Sequence, residues 1–84
     1  MTGIKFSKHA LEQIAVRGIP VEVAQSVLIN LQQIITESGK KIYQSIVNFE
    51  DDDYLVRVIV NAEIEPNLVI TVYKTSKIKK YYEG

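Results

Sequence analysis

The sequence predicts an α+β domain in which two N-terminal helices pack on a four-stranded, mainly antiparallel sheet. Apolar residues recur at helical spacing in the first third of the chain, and strand-like apolar segments fill the rest. Short polar segments separate the later strands, which is typical of an antiparallel meander. The 84 residues suffice for one domain, which we assign to residues 1–84.

The N-terminal part predicts a short strand and a helical hairpin. GIKF, at residues 3–6, is a candidate edge strand, and Ser7 stands where a helix N-cap is expected. Gly18 is placed to end the first helix in a left-handed conformation, and Pro20 suits the first turn of a second helix, with Asn30 as its candidate end. The expected apolar stripes are Ala10, Leu11, Ile14 and Ala15, then Val23, Ala24, Val27, Leu28 and Leu31.

The rest of the chain predicts strands and turns. A short extended segment, QQIITE, should close in a turn at Ser38 and Gly39. Residues 41–49 are rich in strand formers, the acidic run EDDD at 50–53 is a candidate loop, and YLVRVIVN at 54–61 is the strongest strand. A turn at 63–67 and a second strong strand at 68–74 follow.

Bulk composition favours a soluble cytoplasmic protein. Lys and Arg number ten, as do Asp and Glu, so the strongly basic character of many nucleic-acid binders is absent in bulk. The absence of cysteine excludes disulfides and thiolate metal sites. We expect no signal peptide and no membrane span, because no apolar run approaches the roughly 20 residues that a span needs.

Arg57 is unusual because it interrupts a strand that is otherwise apolar. Alternation puts Arg57 on the face opposite Val56, Val58 and Val60, which are the natural residues to receive the helices. One interpretation is a solvated sheet face, with the guanidinium in water and its stem along apolar neighbours. The other is an anion site, because a guanidinium offers a planar fork to phosphate.

Other candidate site residues also have structural explanations. His9, the single histidine, lies near the start of the first helix, where the dipole favours the neutral form that a general base needs, although it could equally be an exposed helical histidine. Arg17 suits a helix end on dipole grounds alone. The tail YKTSKIKKYY, at 73–82, mixes cations with aromatics, as single-strand binders do, but a solvated terminus has the same composition.

We expect no metal and no cofactor. The EDDD run lacks the alternating ligand spacing of a calcium loop, and a hairpin tip explains it. The chain has no phosphate-cradling glycine loop, nucleophile motif or paired carboxylates at a recognisable spacing.

Three segments carry a resemblance: FSKHALEQIAVRGIPVEVAQSVL, YLVRVIV and LVITVYKTSKIKKYY. Together they resemble a small bacterial family of unknown function that is similar to the RelE-like and BrnT-like toxins of toxin–antitoxin systems. RelE-like toxins are usually strongly basic, whereas this chain has a formal charge of zero.

The resemblance implies a metal-independent endoribonuclease that makes the RNA 2′-hydroxyl attack the adjacent phosphorus. It implies that His9 or Tyr81 transfers protons and that Arg57 and Arg17 bind the scissile phosphate. It also implies an antitoxin protein as partner. The residues that it implies for RNA binding are Thr71, Tyr73, Lys74, Lys77, Lys79 and Lys80.

Two other hypotheses stay open at this point. The chain could be a non-catalytic relative that binds a protein partner, for example by strand addition at a sheet edge. It could also be a small domain that self-associates into a homo-oligomer to extend a thin core.

Overall fold

A computed structural model describes residues 4–29, 33–49 and 51–82. The strands are β1 (Ile4–Phe6), β2 (Gln33–Glu37), β3 (Lys40–Phe49), β4 (Asp52–Asn61) and β5 (Asn67–Thr75), and the helices are α1 (Lys8–Val16), α2 (Val21–Ile29) and α3 (Ile78–Tyr81). No helix in these ranges is long and apolar enough to cross a membrane.

The five strands form one mixed sheet in the order β1-β5-β4-β3-β2. Strands β2 to β5 form an antiparallel meander, and β1 pairs in parallel with β5. The α+β class and the meander are therefore confirmed, but the prediction of two helices on a four-stranded sheet is wrong in detail. Of the predicted GIKF strand, Ile4–Phe6 form a fifth, parallel edge strand and Gly3 lies outside the described residues; the lysine-rich tail supplies a third helix.

Local hydrogen bonds determine where α1 begins and ends. The Ser7 hydroxyl accepts a hydrogen bond from the Ala10 N–H at 3.0 Å, so Ser7 is the N-cap of α1, as predicted. Gly18 ends α1 at a φ of 66°, and the Ile19 N–H donates to the Ile14 carbonyl at 3.0 Å. This is a Schellman ending, which also buries Ile19. The expected contributions of Asn30 and Leu31 to α2 lie outside the described residues.

Helices α1 and α2 cover one face of the sheet. Val56, Val58 and Val60 of β4 are fully buried beneath them, as the alternation predicts. The helices contribute Ala10, Ile14, Ala24 and Val27 to the same core, and Ile19 joins it from the connection between them. Burial of these aliphatic side chains is the main source of stability in so small a domain.

A β-bulge changes which β5 residues face the core. Ile59 pairs with Thr71 whereas Val60 pairs with Val69, so Ile70 is an extra residue in β5. Val69 therefore faces the helices and is fully buried. In an unbroken strand Val69 would share a face with Thr71 and Tyr73, on the side of the sheet away from the helices.

Two tight hairpins connect β2, β3 and β4. Ser38 and Gly39 have φ values of 47° and 78°, which suit the two-residue turn predicted there. The acidic run was predicted as a loop over 50–53, but β4 already begins at Asp52, and Asp51 occupies the turn with a φ of 73°. Glu50 lies outside the described residues.

Candidate functional site

Arg57 lies at the centre of a polar cluster on the sheet face opposite α1 and α2. Register pairs it with Gln44 of β3 and Tyr73 of β5, so all three side chains share that face. The Nε–H of Arg57 donates to Gln44 Oε1 at 2.9 Å, and Nη1 donates to the Tyr73 hydroxyl. Only 9% of Arg57 is exposed. The interpretation of Arg57 as a solvated residue is therefore wrong.

Helix α3 explains this burial. The centroid of the Tyr81 ring lies 4.5 Å from Arg57 Cζ, and that of Tyr73 lies 5.6 Å away, so the guanidinium contacts two aromatic rings. Leu55, on the same sheet face, is fully buried although α1 and α2 lie on the other side. Helix α3 of the tail therefore covers Arg57, and the interpretation of the tail as a solvated terminus is wrong for Tyr81.

Gln44 connects the arginine to α3, and sequence reasoning missed it. Its side chain is fully buried, and its amide Nε2 donates to Gln33 Oε1 at 2.6 Å and to the Tyr81 carbonyl at 3.1 Å. The sequence signal that could have found Gln44 is the one that identified Arg57, a polar residue within a strand rich in apolar residues. Gln44 is an uncharged polar residue on the same face as Ile42 and Ile46, in a strand rich in apolar residues.

The charge of Arg57 has no acidic counterpart in the cluster. Among the described residues, none of the Asp or Glu carboxylates forms an ion pair with Arg57, whose contacts are two neutral acceptors and two rings. A guanidinium has five N–H donors, and these two hydrogen bonds leave donors for a further acceptor. A buried cation without a carboxylate partner favours the binding of an anion, because a bound anion offsets the free-energy cost of removing the cation from water.

His9 and Arg17 lie in the helical layer, apart from the Arg57 cluster. His9 is exposed on α1, and its Nε2 lies 2.9 Å from Gln13 Nε2. Arg17 Nη1 donates to the Val72 carbonyl at 2.6 Å, so Arg17 reaches the outer edge of β5 next to Tyr73. The structure therefore brings Tyr73 and Tyr81 to Arg57, places Arg17 at the adjoining edge, and puts His9 on the opposite layer.

The predicted RNA-binding residues fall in three places. Thr71 lies on the Arg57 face, two residues from Tyr73. Lys74 lies on the helix-covered face, where its Nζ is 5.2 Å from the centroid of the Tyr54 ring. Lys77, Lys79 and Lys80 are exposed at α3, and Lys80 Nζ lies 5.4 Å from the centroid of the Tyr81 ring. These three lysines are therefore the cations nearest in sequence to Tyr81, whose ring covers Arg57.

No metal centre emerges from the described part of the chain. Residues 4–29, 33–49 and 51–82 contain no group of three or more His, Asp or Glu side chains placed to hold an ion. Asp51, Asp52 and Asp53 are exposed around the β3–β4 turn.

Comparison with known families shows the family to which the chain belongs. The model of the family described as Domain of unknown function (DUF4258) matches residues 6–74. The chain belongs to this family. The matched region contains Arg57, Gln44 and Tyr73, whereas α3 with Tyr81 follows it. No curated protein and no solved structure matches the chain.

Proposed function

We propose that this DUF4258 protein is the toxin of a toxin–antitoxin system and acts as a metal-independent endoribonuclease. The observation that carries the proposal is the buried Arg57 guanidinium, which two neutral acceptors and two tyrosine rings surround without an acidic partner among the described residues. Such a group can stabilise the negative charge that develops on the phosphoryl oxygens during RNA cleavage. The three quoted segments resemble a family that is similar to RelE-like toxins, and this likeness supports the same chemistry.

The reaction is an internal transesterification. The RNA 2′-oxygen loses its proton and bonds to phosphorus, while the bond from phosphorus to the 5′-oxygen breaks and that oxygen takes up a proton. The products are a 2′,3′-cyclic phosphate and a 5′-hydroxyl. The reaction needs a proton acceptor, a proton donor and a cation at the phosphoryl oxygens, and a metal ion is not required.

Residues of the cluster can fill these roles. Arg57 would bind the phosphoryl oxygens with the N–H groups that its two hydrogen bonds leave available. Tyr73 accepts from Arg57 and keeps its own hydroxyl proton to donate, and the Tyr81 ring lies against the same guanidinium. We assign proton transfer to Tyr81 and Tyr73, and the location of His9 in the opposite layer favours them over His9.

The surrounding cations would hold the flanking RNA. Arg17 lies at the β5 edge beside Tyr73, and Lys77, Lys79 and Lys80 extend from α3 beside Tyr81. These contacts are to phosphates, so binding should weaken steeply as salt is raised. In the cell the protein would act in the cytoplasm, where an antitoxin protein would keep it inactive.

Purified protein tests the cleavage directly. Incubation with RNA in excess EDTA should give products that end in 2′,3′-cyclic phosphate. Arg57→Lys keeps the charge but loses the planar fork, so we expect its cleavage rate to fall about 100-fold or more. Lys8→Ala, which removes an exposed cation at the start of α1, is the matched control and should cleave at the wild-type rate.

A cell assay tests the toxin role. Induced expression should arrest growth, and Arg57→Lys should relieve the arrest while the circular dichroism spectrum stays unchanged. If Arg57→Lys does not fold, Tyr81→Phe, which keeps the ring but removes the hydroxyl, takes its place. Normal growth together with intact RNA on wild-type expression would overturn the proposal and favour a non-catalytic, protein-binding relative.

A further inference from the structure

The face that carries Arg57 is organised in rows that run across the strands. Register aligns the side chains of one row from β2 to β5, and the neighbouring rows lie about 7 Å away, because a strand rises about 3.4 Å per residue. The rows are Gln33, Gln44, Arg57, Tyr73; then Ile35, Ile42, Ile59, Thr71; then Glu37, Lys40, Asn61, Leu68.

A surface depression spans the second and third rows. Ile42 and Ile59 provide an apolar floor, and Glu37, Ser38 and Lys40 at the β2–β3 turn form a polar rim. Glu37 and Lys40, which both lie in the described range 33–49, form no ion pair with each other. Each can therefore contact a ligand. A flat apolar floor beside opposite charges suits a planar ring with polar edges.

We infer that this depression binds a guanine base of the RNA. The inference rests on the proposed function, because it takes Arg57 as the phosphate-binding residue. With a phosphate at Arg57, the adjacent row is about 7 Å along the strand, where the base of the same nucleotide can reach Ile42 and Ile59. The subsite is therefore continuous with the proposed cleavage site.

The rim accounts for the choice of guanine. Guanine presents acceptors at O6 and N7 and donors at N1 and the 2-amino group, so an ammonium at one part of its edge and a carboxylate at another both find partners. Lys40 can donate to O6 or N7, and Glu37 can accept from N1–H and the 2-amino group. Uracil offers a carboxylate only its ring N–H, and adenine offers only its 6-amino group, so neither pairs both oxygens of Glu37 as the adjacent N1–H and 2-amino donors of guanine can.

Asn61 of β4 lies beside the rim, in the same row as Lys40. Its Oδ1 accepts from the Glu63 N–H at 3.0 Å, which fixes the orientation of the amide and leaves its NH₂ group as a donor. Asn61 pairs with Lys40, so this amide adjoins the lysine at the same end of the depression. Two donors at this end match the two acceptors of guanine.

Titration of the whole protein with free nucleosides tests the subsite separately from cleavage. We expect guanosine to shift the backbone amide resonances of Glu37, Lys40 and Ile59 in ¹H–¹⁵N spectra. Its affinity should exceed those of adenosine, cytidine and uridine by roughly fivefold or more. Glu37→Gln should remove this preference, whereas Glu22→Gln, an exposed glutamate on α2, should retain it.

The outcomes separate the two proposals. Shifts that map elsewhere, equal affinities for the four nucleosides, or no shifts at saturating guanosine would each overturn the guanine subsite, whether or not the protein cleaves RNA. A guanosine preference lost in Glu37→Gln would support the subsite even if the wild-type protein left RNA intact, a result that would overturn only the proposed function.

Discussion

The Cζ atom of Arg57 lies 4.5 Å from the centroid of the Tyr81 ring, so the centre of the sheet and the last helix hold each other in place. The ring shields the guanidinium from water, and the guanidinium gives a four-residue helix an anchor that so short a helix lacks on its own. The same contact closes one side of the candidate site.

The contact between ring and cation should be measurable as stability. Tyr81→Phe retains the aromatic face and should change the free energy of unfolding little, whereas Tyr81→Leu should lower it by about 1 kcal/mol more than Phe does. Urea denaturation monitored by circular dichroism compares the two variants. Equal stabilities would show that the ring contributes only through its apolar area.

Gln44 should be more important to stability than its lack of charge suggests. Gln44→Leu removes the acceptor of Arg57 Nε–H and two donated hydrogen bonds, so we expect a loss of about 2–3 kcal/mol from unpaired buried groups. Asn48→Leu in the same strand is the control. Its amide contacts Asp53 at an exposed position, and its removal should cost less than about 0.5 kcal/mol. Chemical denaturation of both variants checks the difference.

Two glycines with positive φ allow the cost of backbone strain to be compared with the cost of steric overlap between an added Cβ and its neighbours. Gly18→Ala should cost about 1 kcal/mol from its left-handed conformation alone, because nothing lies within 4 Å of the added Cβ. In Gly39→Ala the added Cβ would overlap the Glu63 side chain, but that side chain is exposed and can rotate away.

We therefore expect Gly39→Ala to cost only slightly more than Gly18→Ala. A double-mutant cycle with Glu63→Ala, measured by thermal denaturation, should give a coupling below about 0.5 kcal/mol. A large coupling would mean that the glutamate is held in place.

The N-cap of α1 offers a matched pair of serines. Ser7→Ala removes the acceptor of the Ala10 N–H and should lower stability by about 1 kcal/mol. Ser26→Ala removes an exposed hydroxyl that donates to the Val23 carbonyl within α2 and should leave stability within about 0.5 kcal/mol of wild type. In thermal unfolding, the midpoint temperature of Ser7→Ala should therefore be lower than that of Ser26→Ala.

Local rules predicted the parts of this fold that depend on a few neighbouring residues. The Ser7 cap, the Gly18 ending and the Ser38–Gly39 turn each follow from steric and hydrogen-bonding preferences within one turn of chain. Strand alternation likewise assigned Arg57 to the face that α1 and α2 leave uncovered, because the pleat of β4 is regular up to Ile59.

Long-range contacts decided what the sequence could not predict. Helix α3 spans four residues, too few for an apolar period, and its Tyr81 becomes significant only because it folds back over Arg57. Gln44 became part of the site through register with Arg57, which single-strand alternation does not specify. Tyr73 was named as a candidate, but its hydrogen bond to Arg57 depends on the β4–β5 pairing.

Ile70, the extra residue of the β-bulge, determines which faces of the sheet Val69 and Tyr73 occupy. Before it, Val69 fills the core beneath the helices and its carbonyl receives the Ser7 N–H; after it, Thr71 and Tyr73 face the arginine. If Ile70 were instead paired in a regular pleat with Tyr73 kept at Arg57, Val69 would turn out of the core, because the two residues are an even number of positions apart. Deleting Ile70 should therefore leave Val69 in the core and Tyr73 at Arg57, so β5 tolerates a difference of one residue in length at this point.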